Sequence, residues 1–174
     1  MTNATEPVTT TQIYQVFINA TPEAIWDAIT KPEWSQRYGY RGINEYDLRP
    51  GGEYRARATE EFQAMGMPEV VVDGEVIEAD PPRRLVHTWR FLWDEEVAAE
   101  GPTRVTFEID PVPVAPGQAP EDSGVCRLRV THELENAPQT AAQLAGEIEG
   151  AGGGWAFVLS DLKTLLESGR PLGA

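Results

Sequence analysis

The sequence predicts an α+β fold: a curved antiparallel sheet with two short helices after its first strand and one long C-terminal helix packed over it. Three observations lead there. From Trp155 to Leu166 apolar residues recur every three or four positions, the period of a helix with one buried face. From Gly42 to Leu134 they alternate every second position instead, as in strands with one wet face. Between the first strand-like run and this region stand Thr21-Pro22-Glu23 and Lys31-Pro32, the start and stop of short helices.

Taken in order, Met1 to Thr10 is polar and Thr-rich and reads as a loose leader before a single domain over 11–174. Ile13, Tyr14, Val16, Phe17 and Ile18 predict the first strand. Thr21 caps a helix with the apolar stripe Ala24, Ile25, Ala28 and Ile29, which Lys31-Pro32 breaks. A second short helix over Pro32 to Tyr38 carries Trp34. Pro50-Gly51-Gly52 is a turn between strands Gly42 to Arg49 and Glu53 to Thr59, with Tyr54, Ala56 and Ala58 on one face. Glu60 to Pro68, holding Phe62, Met65 and Met67, reads as a mobile loop or flap.

Val70 to Ala79 is the next strand, turned by Asp80-Pro81-Pro82. In the strand after it, Leu85, His87, Trp89, Phe91 and Trp93 share one parity. Val105, Phe107 and Ile109 share it in the following strand, and Cys126, Leu128, Val130, His132 and Leu134 in the last. The loops Asp94 to Pro102 and Pro111 to Gly124 are acidic and read as solvated. Pro138 to Gly150 holds a helical turn or two before Gly152-Gly153-Gly154. The final helix puts Trp155, Val158, Leu159, Leu162, Leu165 and Leu166 inward and Ser160, Asp161, Lys163 and Glu167 outward, and Gly169 with Pro171 ends it.

Composition narrows the function classes. At 174 residues with 41% hydrophobic residues, the chain has enough apolar surface for one globular domain. A formal charge of −14 opposes nucleic acid and anionic membranes, because both would repel it. The single cysteine, Cys126, permits no internal disulfide and fits a reducing, cytoplasmic setting. The N-terminus lacks the basic and apolar regions of a signal peptide, and no run approaches the roughly 20 apolar residues of a membrane span.

A family resemblance rests on pieces spread through the chain: Thr21 to Thr30 (TPEAIWDAIT), Arg49 to Gly52 (RPGG), Gly74 to Leu85 (GEVIEADPPRRL), Thr88-Trp89, Thr103 to Phe107 (TRVTF), Thr131-His132 and Gly153-Gly154-Trp155. In this order they resemble the START-like, or SRPBCC, superfamily with its helix-grip (START/Bet v-like) fold. Within it they resemble the branch named for homology to the activator of the heat-shock-protein-90 ATPase. The resemblance implies a cavity between sheet and final helix. It also implies three function classes: hydrophobic-ligand binding, cyclase- or hydrolase-like catalysis, and interaction with a chaperone or stress-response partner. The eukaryotic co-chaperone of that name carries a further N-terminal domain for which 174 residues leave no room, so ATPase activation is not expected to carry over.

The candidate site follows from the inward parity and that implied cavity. Trp89, Phe91, Trp93, Phe107, Trp155 and Leu159 form an apolar lining for a hydrophobic or aromatic metabolite. Trp34, Tyr38, Tyr40, Phe62, Met65 and Met67 are expected toward its mouth, and Tyr38, Tyr54, His87 and His132 are candidates to orient a polar ligand atom. His87 and His132 are the weak candidates for an acid or base; the other reading is a histidine hydrogen-bonded within the sheet. No cofactor or metal is expected, because two histidines without Cys or carboxylate partners at ligand spacing do not make a zinc site. Cys126 reads as a small core residue. The partner expected first is a hydrophobic small molecule, with a homodimer or a chaperone-type protein also admitted.

Overall fold

The structure, a computed structural model, describes residues 10–174. Met1 to Thr9 of the expected leader lie outside the described residues. Seven antiparallel strands run in the order β1-β7-β6-β5-β4-β3-β2. They are β1 (Thr11–Ile18), β2 (Ile43–Tyr46), β3 (Glu53–Arg57), β4 (Val70–Asp80), β5 (Arg84–Phe91), β6 (Thr103–Pro111) and β7 (Cys126–Glu133). The helices are α1 (Pro22–Thr30), α2 (Pro32–Ser35), α3 (Glu60–Ala64), α4 (Glu95–Ala98), α5 (Pro138–Ala145) and α6 (Gly154–Ser168). Because β1 and β2 form opposite edges, α1 and α2 carry the chain from one side of the sheet to the other. None of the described helices is long and apolar enough to cross a membrane.

Strand alternation divides the sheet into two faces. Inward from β6 and β7 point Val105, Phe107, Ile109, Cys126, Leu128 and Val130, all buried beneath α6 and α1. Outward, charges meet directly across strands. Asp110 faces Arg127 at 3.0 Å, Glu108 faces Arg84 at 2.9 Å and Asp73 faces Arg90 at 2.7 Å. Each such exposed pair adds only about 0.2–1 kcal/mol, but all of them favour the same register. Bulges at Ala56/Arg57 and Val76/Glu78 interrupt that register and bend the sheet.

Both edge strands are met by helices, whose side chains engage part of the backbone row on which another strand would pair. Along β1, Lys163 of α6 donates to the Phe17 carbonyl at 2.8 Å, and Glu167 accepts from Asn19 N at 3.0 Å just past the strand. On β2, Asn44 N donates to Ser35 Oγ of α2 at 2.9 Å.

Several segments differ from the sequence expectation. Glu60 to Pro68 is not a bare loop: Thr59 Oγ1 accepts from Phe62 N at 3.3 Å and starts α3. The acidic stretch after β5 is built in as well as solvated. Asp94 caps α4 by accepting from Glu96 N and Val97 N at 2.8 and 3.1 Å. Glu100 then reaches α5, accepting from Gln139 N, Thr140 N and Thr140 Oγ1 at 2.7, 2.9 and 2.8 Å, which meets the free donors of a helix with no cap of its own.

The glycines before α6 serve close approach. A Cβ on Gly152 would strike the Tyr40 hydroxyl at 2.6 Å, and one on Gly154, at φ +63°, would strike the Leu144 carbonyl at 2.1 Å. Tyr40 fits here because its hydroxyl accepts from Gly154 N at 2.9 Å.

Helix α6 buries Trp155, Leu159, Leu162 and Leu165 as its periodicity predicts, and Gly169 closes it in the left-handed conformation. Asp161 departs from the outward assignment and is buried. Its two carboxylate oxygens accept from Gly39 N and from Leu172 N, each at 2.7 Å. One side chain thus ties the α2–β2 connection and the C-terminal tail to the helix. Asp161→Ala is expected to lower the unfolding free energy in urea by about 2–3 kcal/mol, because it leaves two donors unmet. Lys163→Ala removes a surface pair to Glu167 and is expected to cost within about 1 kcal/mol. Equal losses from the two would return Asp161 to the solvent face.

Candidate functional site

A cavity of about 510 Å³ lies between the inner face of the sheet and α6. Its floor is formed by Tyr46, Tyr54, Trp89, Phe91 and Phe107, and its roof by Trp155, Val158, Leu159 and Leu162. The rings brace one another at the edge-on and tilted angles that aromatic quadrupoles favour. Trp155 meets Phe107 at 78° and 5.7 Å and Trp89 at 53° and 5.6 Å, while Trp89 meets Phe91 at 88° and 5.7 Å. Rings held this way cannot collapse into the space between them. Phe62, Met65 and Met67, carried by α3 and the turn after it, border the mouth with Trp93 and Tyr40.

The two histidines lie on one rung of the sheet, opposite Val105 from either side, and both are fully buried. His87 Nδ1 sits 2.7 Å from the Thr88 carbonyl, which only accepts, so the proton is assigned to Nδ1. Its Nε2 then accepts from the Tyr46 hydroxyl at 3.2 Å. In His132 the assignment reverses: Trp155 Nε1 donates to Nδ1 at 3.3 Å, so Nε2 carries the proton and faces Thr103 Oγ1 at 2.7 Å. The Thr103 hydroxyl passes its own proton to the Trp89 carbonyl at 3.0 Å. All four ring nitrogens are spoken for, and both rings are neutral. Burial pushes the His87 pKa down to about 4. Burial, and secondarily the field of His87, push that of His132 down to about 3.

Of the residues expected at the site, Tyr38, Tyr54, Phe62, Met65, Trp89, Phe91, Trp93, Phe107, Trp155 and Leu159 line the cavity. Three do not, and these are corrections. His87 and His132 have the inward parity, but Tyr54 packs on His87 at 4.2 Å between centroids, and Trp89 and Trp155 cover His132. Trp34 leaves the mouth, packing against the edge of the core with Arg37 over its ring at 4.7 Å. Trp93 reaches only the rim and is 37% exposed, because β5 ends at Phe91. Cys126 is a buried core residue whose thiol is pushed up, chiefly by burial. No group of three or more His, Cys, Asp or Glu among the described residues is placed to hold a metal ion.

Sequence reasoning missed Tyr46, Gln143 and Leu144 as lining residues. Tyr46 was within reach: pairing the hairpin across Pro50-Gly51-Gly52 sets it opposite Tyr54, and the two rings stack at 4.5 Å. Gln143 and Leu144 had no comparable signal, since α5 joins the cavity only through tertiary packing.

Residues 19–167 match the family described as Activator of Hsp90 ATPase homolog 1-like protein. No curated protein matches the chain in sequence. Among solved structures, protein MLL2253 from Mesorhizobium loti is similar at a TM-score of 0.62 and 19% identity, over 90% of this chain and 96% of that one. PFC0360w, an HSP90 activator from Plasmodium falciparum, is similar at 0.58 and 18% identity, over 91% and 96%. CalU16 from Micromonospora echinospora is similar at 0.54 and 19% identity, over 81% and 70%. At these identities the likeness is one of fold.

The histidines dictate a pH dependence. Their folded pKa values lie below the ordinary 6.5, so as pH falls the unfolded chain takes up protons first. Stability from this source is complete above pH 6.5 and is lost as pH falls toward about 4 for His87 and about 3 for His132. The limiting slope is about 1.4 kcal/mol per pH unit for each. Urea titrations across that window are expected to show stability falling with pH and proton uptake on unfolding approaching two per chain. A flat profile there would mean that the histidines are solvated.

Proposed function

The chain belongs to the family of Activator of Hsp90 ATPase homolog 1-like proteins, and from that premise we propose that it is a small-molecule binding protein whose cavity takes a hydrophobic or aromatic metabolite. The observation that carries this reading is the aromatic-lined space of about 510 Å³ between sheet and helix. Pockets that bind small molecules span about 300–1,000 Å³ and are mostly apolar with a few polar groups. A ligand here replaces empty space beside Trp89, Phe91, Phe107 and Trp155 with dispersion contacts, without any need to part the core. The cyclase- or hydrolase-like alternative loses its candidate base, because neither histidine has a nitrogen free for a substrate proton.

A protein partner is the second reading. One of the similar structures is an HSP90 activator from Plasmodium falciparum, and Ile13 and Phe17 are exposed on the same face of β1, with Gln15 between them. A pure interaction module, however, has no saturable interior site, so one titration separates the two.

Nile red, a neutral apolar dye, is expected to bind saturably, to change tryptophan fluorescence and to raise the melting temperature. At a hundredfold excess over its Kd, a ligand that selects the folded state adds about 2.7 kcal/mol. Affinity is expected to vary little with salt, because no charge pairing drives it. Leu159→Trp fills the roof of the cavity and is expected to weaken dye binding while a cooperative thermal transition remains. Unsaturable dye binding, or undiminished binding by a folded Leu159→Trp variant, would remove the cavity as the site.

A further inference from the structure

We infer that the cavity selects apolar ligands bearing a neutral carbonyl oxygen, and that the Tyr54 hydroxyl donates a hydrogen bond to it; this rests on the binding reading above. The chain has five tyrosines, and four of their hydroxyls are engaged. Tyr14 donates to Gln12 Oε1 at 2.8 Å, Tyr38 to the Ala28 carbonyl at 2.9 Å and Tyr46 to His87, while Tyr40 accepts from Gly154 N. Tyr54 differs among the described residues: its hydroxyl has the Tyr46 oxygen as a neighbouring partner but makes no aligned hydrogen bond to it, and the side chain, 1% exposed, lines the cavity. Nor is that hydroxyl among the polar atoms sealed in packing without a partner, as Trp89 Nε1 is. Its proton has the misaligned Tyr46 oxygen within the protein, and a better-aligned acceptor can approach it from the cavity.

The surroundings hold Tyr54 in place and make its polar corner neutral. On β3 it stands opposite Gly74, and its ring lies against His87 and Tyr46. The Thr88 carbonyl holds the His87 proton on Nδ1, which commits the Tyr46 proton to His87 Nε2. The Tyr46 oxygen beside Tyr54 therefore offers lone pairs only, and the Tyr54 hydroxyl is the donor of the pair. Burial raises the pKa of both phenols above the usual range, so neither becomes an anion that repels a carbonyl. Among the lining residues the one charged side chain is Arg57, already held by Glu45 at 2.8 Å and by Glu69. A carboxylate ligand in this corner would be a buried charge without a partner, whereas a neutral carbonyl can accept from the Tyr54 hydroxyl.

The test uses 9-fluorenone and fluorene, which share a skeleton and differ in the carbonyl, together with fluorene-9-carboxylate. Each is titrated into the wild-type protein and the Tyr54→Phe variant by displacement of Nile red. Wild type is expected to prefer fluorenone over fluorene by about three- to tenfold, the worth of one hydrogen bond. In Tyr54→Phe the ratio of fluorenone to fluorene affinity is expected to fall to about one, and the carboxylate is expected to bind weakest of the three. Equal wild-type affinities, or a preference that survives in Tyr54→Phe, overturn the inference while fluorene binding leaves the cavity reading intact. Failure of all three probes to bind removes both. Infrared spectra of wild type with bound fluorenone read the same bond should the variant not fold. A carbonyl stretch shifted down from its value in alkane is expected, and an unshifted one overturns the inference.

Discussion

The apolar face of α6 lying on the inner face of the sheet is the constraint on which the other features depend. A fifteen-residue helix is marginal by itself in water and exists here because Trp155, Leu159, Leu162 and Leu165 are buried against the strands. Asp161 then attaches to that helix two segments that would otherwise be loose, through Gly39 N and Leu172 N. The first of these precedes β2, so the register of an edge strand and part of the cavity wall are referred to the same helix. Tyr40 and the close-packed glycines do the same at the N-terminal end, where Gly154 N meets a phenol in place of a cap.

The cavity is a consequence of how this constraint is met. Apolar side chains of ordinary size across the interface would close it, as Val130 and Leu165 do elsewhere in the core. On β2, β3 and β5 the lining residues include rings, packed edge-on, tilted or stacked on their neighbours, and some of these rings are tethered by polar atoms. Trp155 is tied to His132, which is tied through Thr103 to the β5 backbone; Tyr46 is tied to His87, which is tied to Thr88. These ties set ring orientation and withdraw the histidines from chemistry at the same time. For the ligand binding proposed above, rigid rings would reduce the ordering cost.

Family membership agrees with this division of labour. The features shared with the similar structures are those of the fold: sheet, grip helix and short helices between the first two strands. In this chain the fold carries rings on β2, β3 and β5, a mouth bordered by α3, and acidic side chains that cap α4 and α5. The negative surface and the cross-strand ion pairs concern solubility and register, leaving the interior nearly free of charge.

The sequence by itself determined whatever depends on local sterics and on period. The buried stripe of α6, the common parity of β5, β6 and β7, the hairpin across Pro50-Gly51-Gly52 and the Thr21 cap are written in neighbouring residues, because side-chain direction is set by the backbone within a few positions. The tertiary structure alone decided which inward residues border empty space. His87 and Trp89 share a parity, yet rings from β2 and β3 cover the first and leave the second on the cavity. It also decided the fate of Asp161, whose place on a helical wheel is indistinguishable from a solvated one. Its partners stand 122 and 11 residues away in the chain, and no local pattern records that two backbone donors arrive there needing an acceptor.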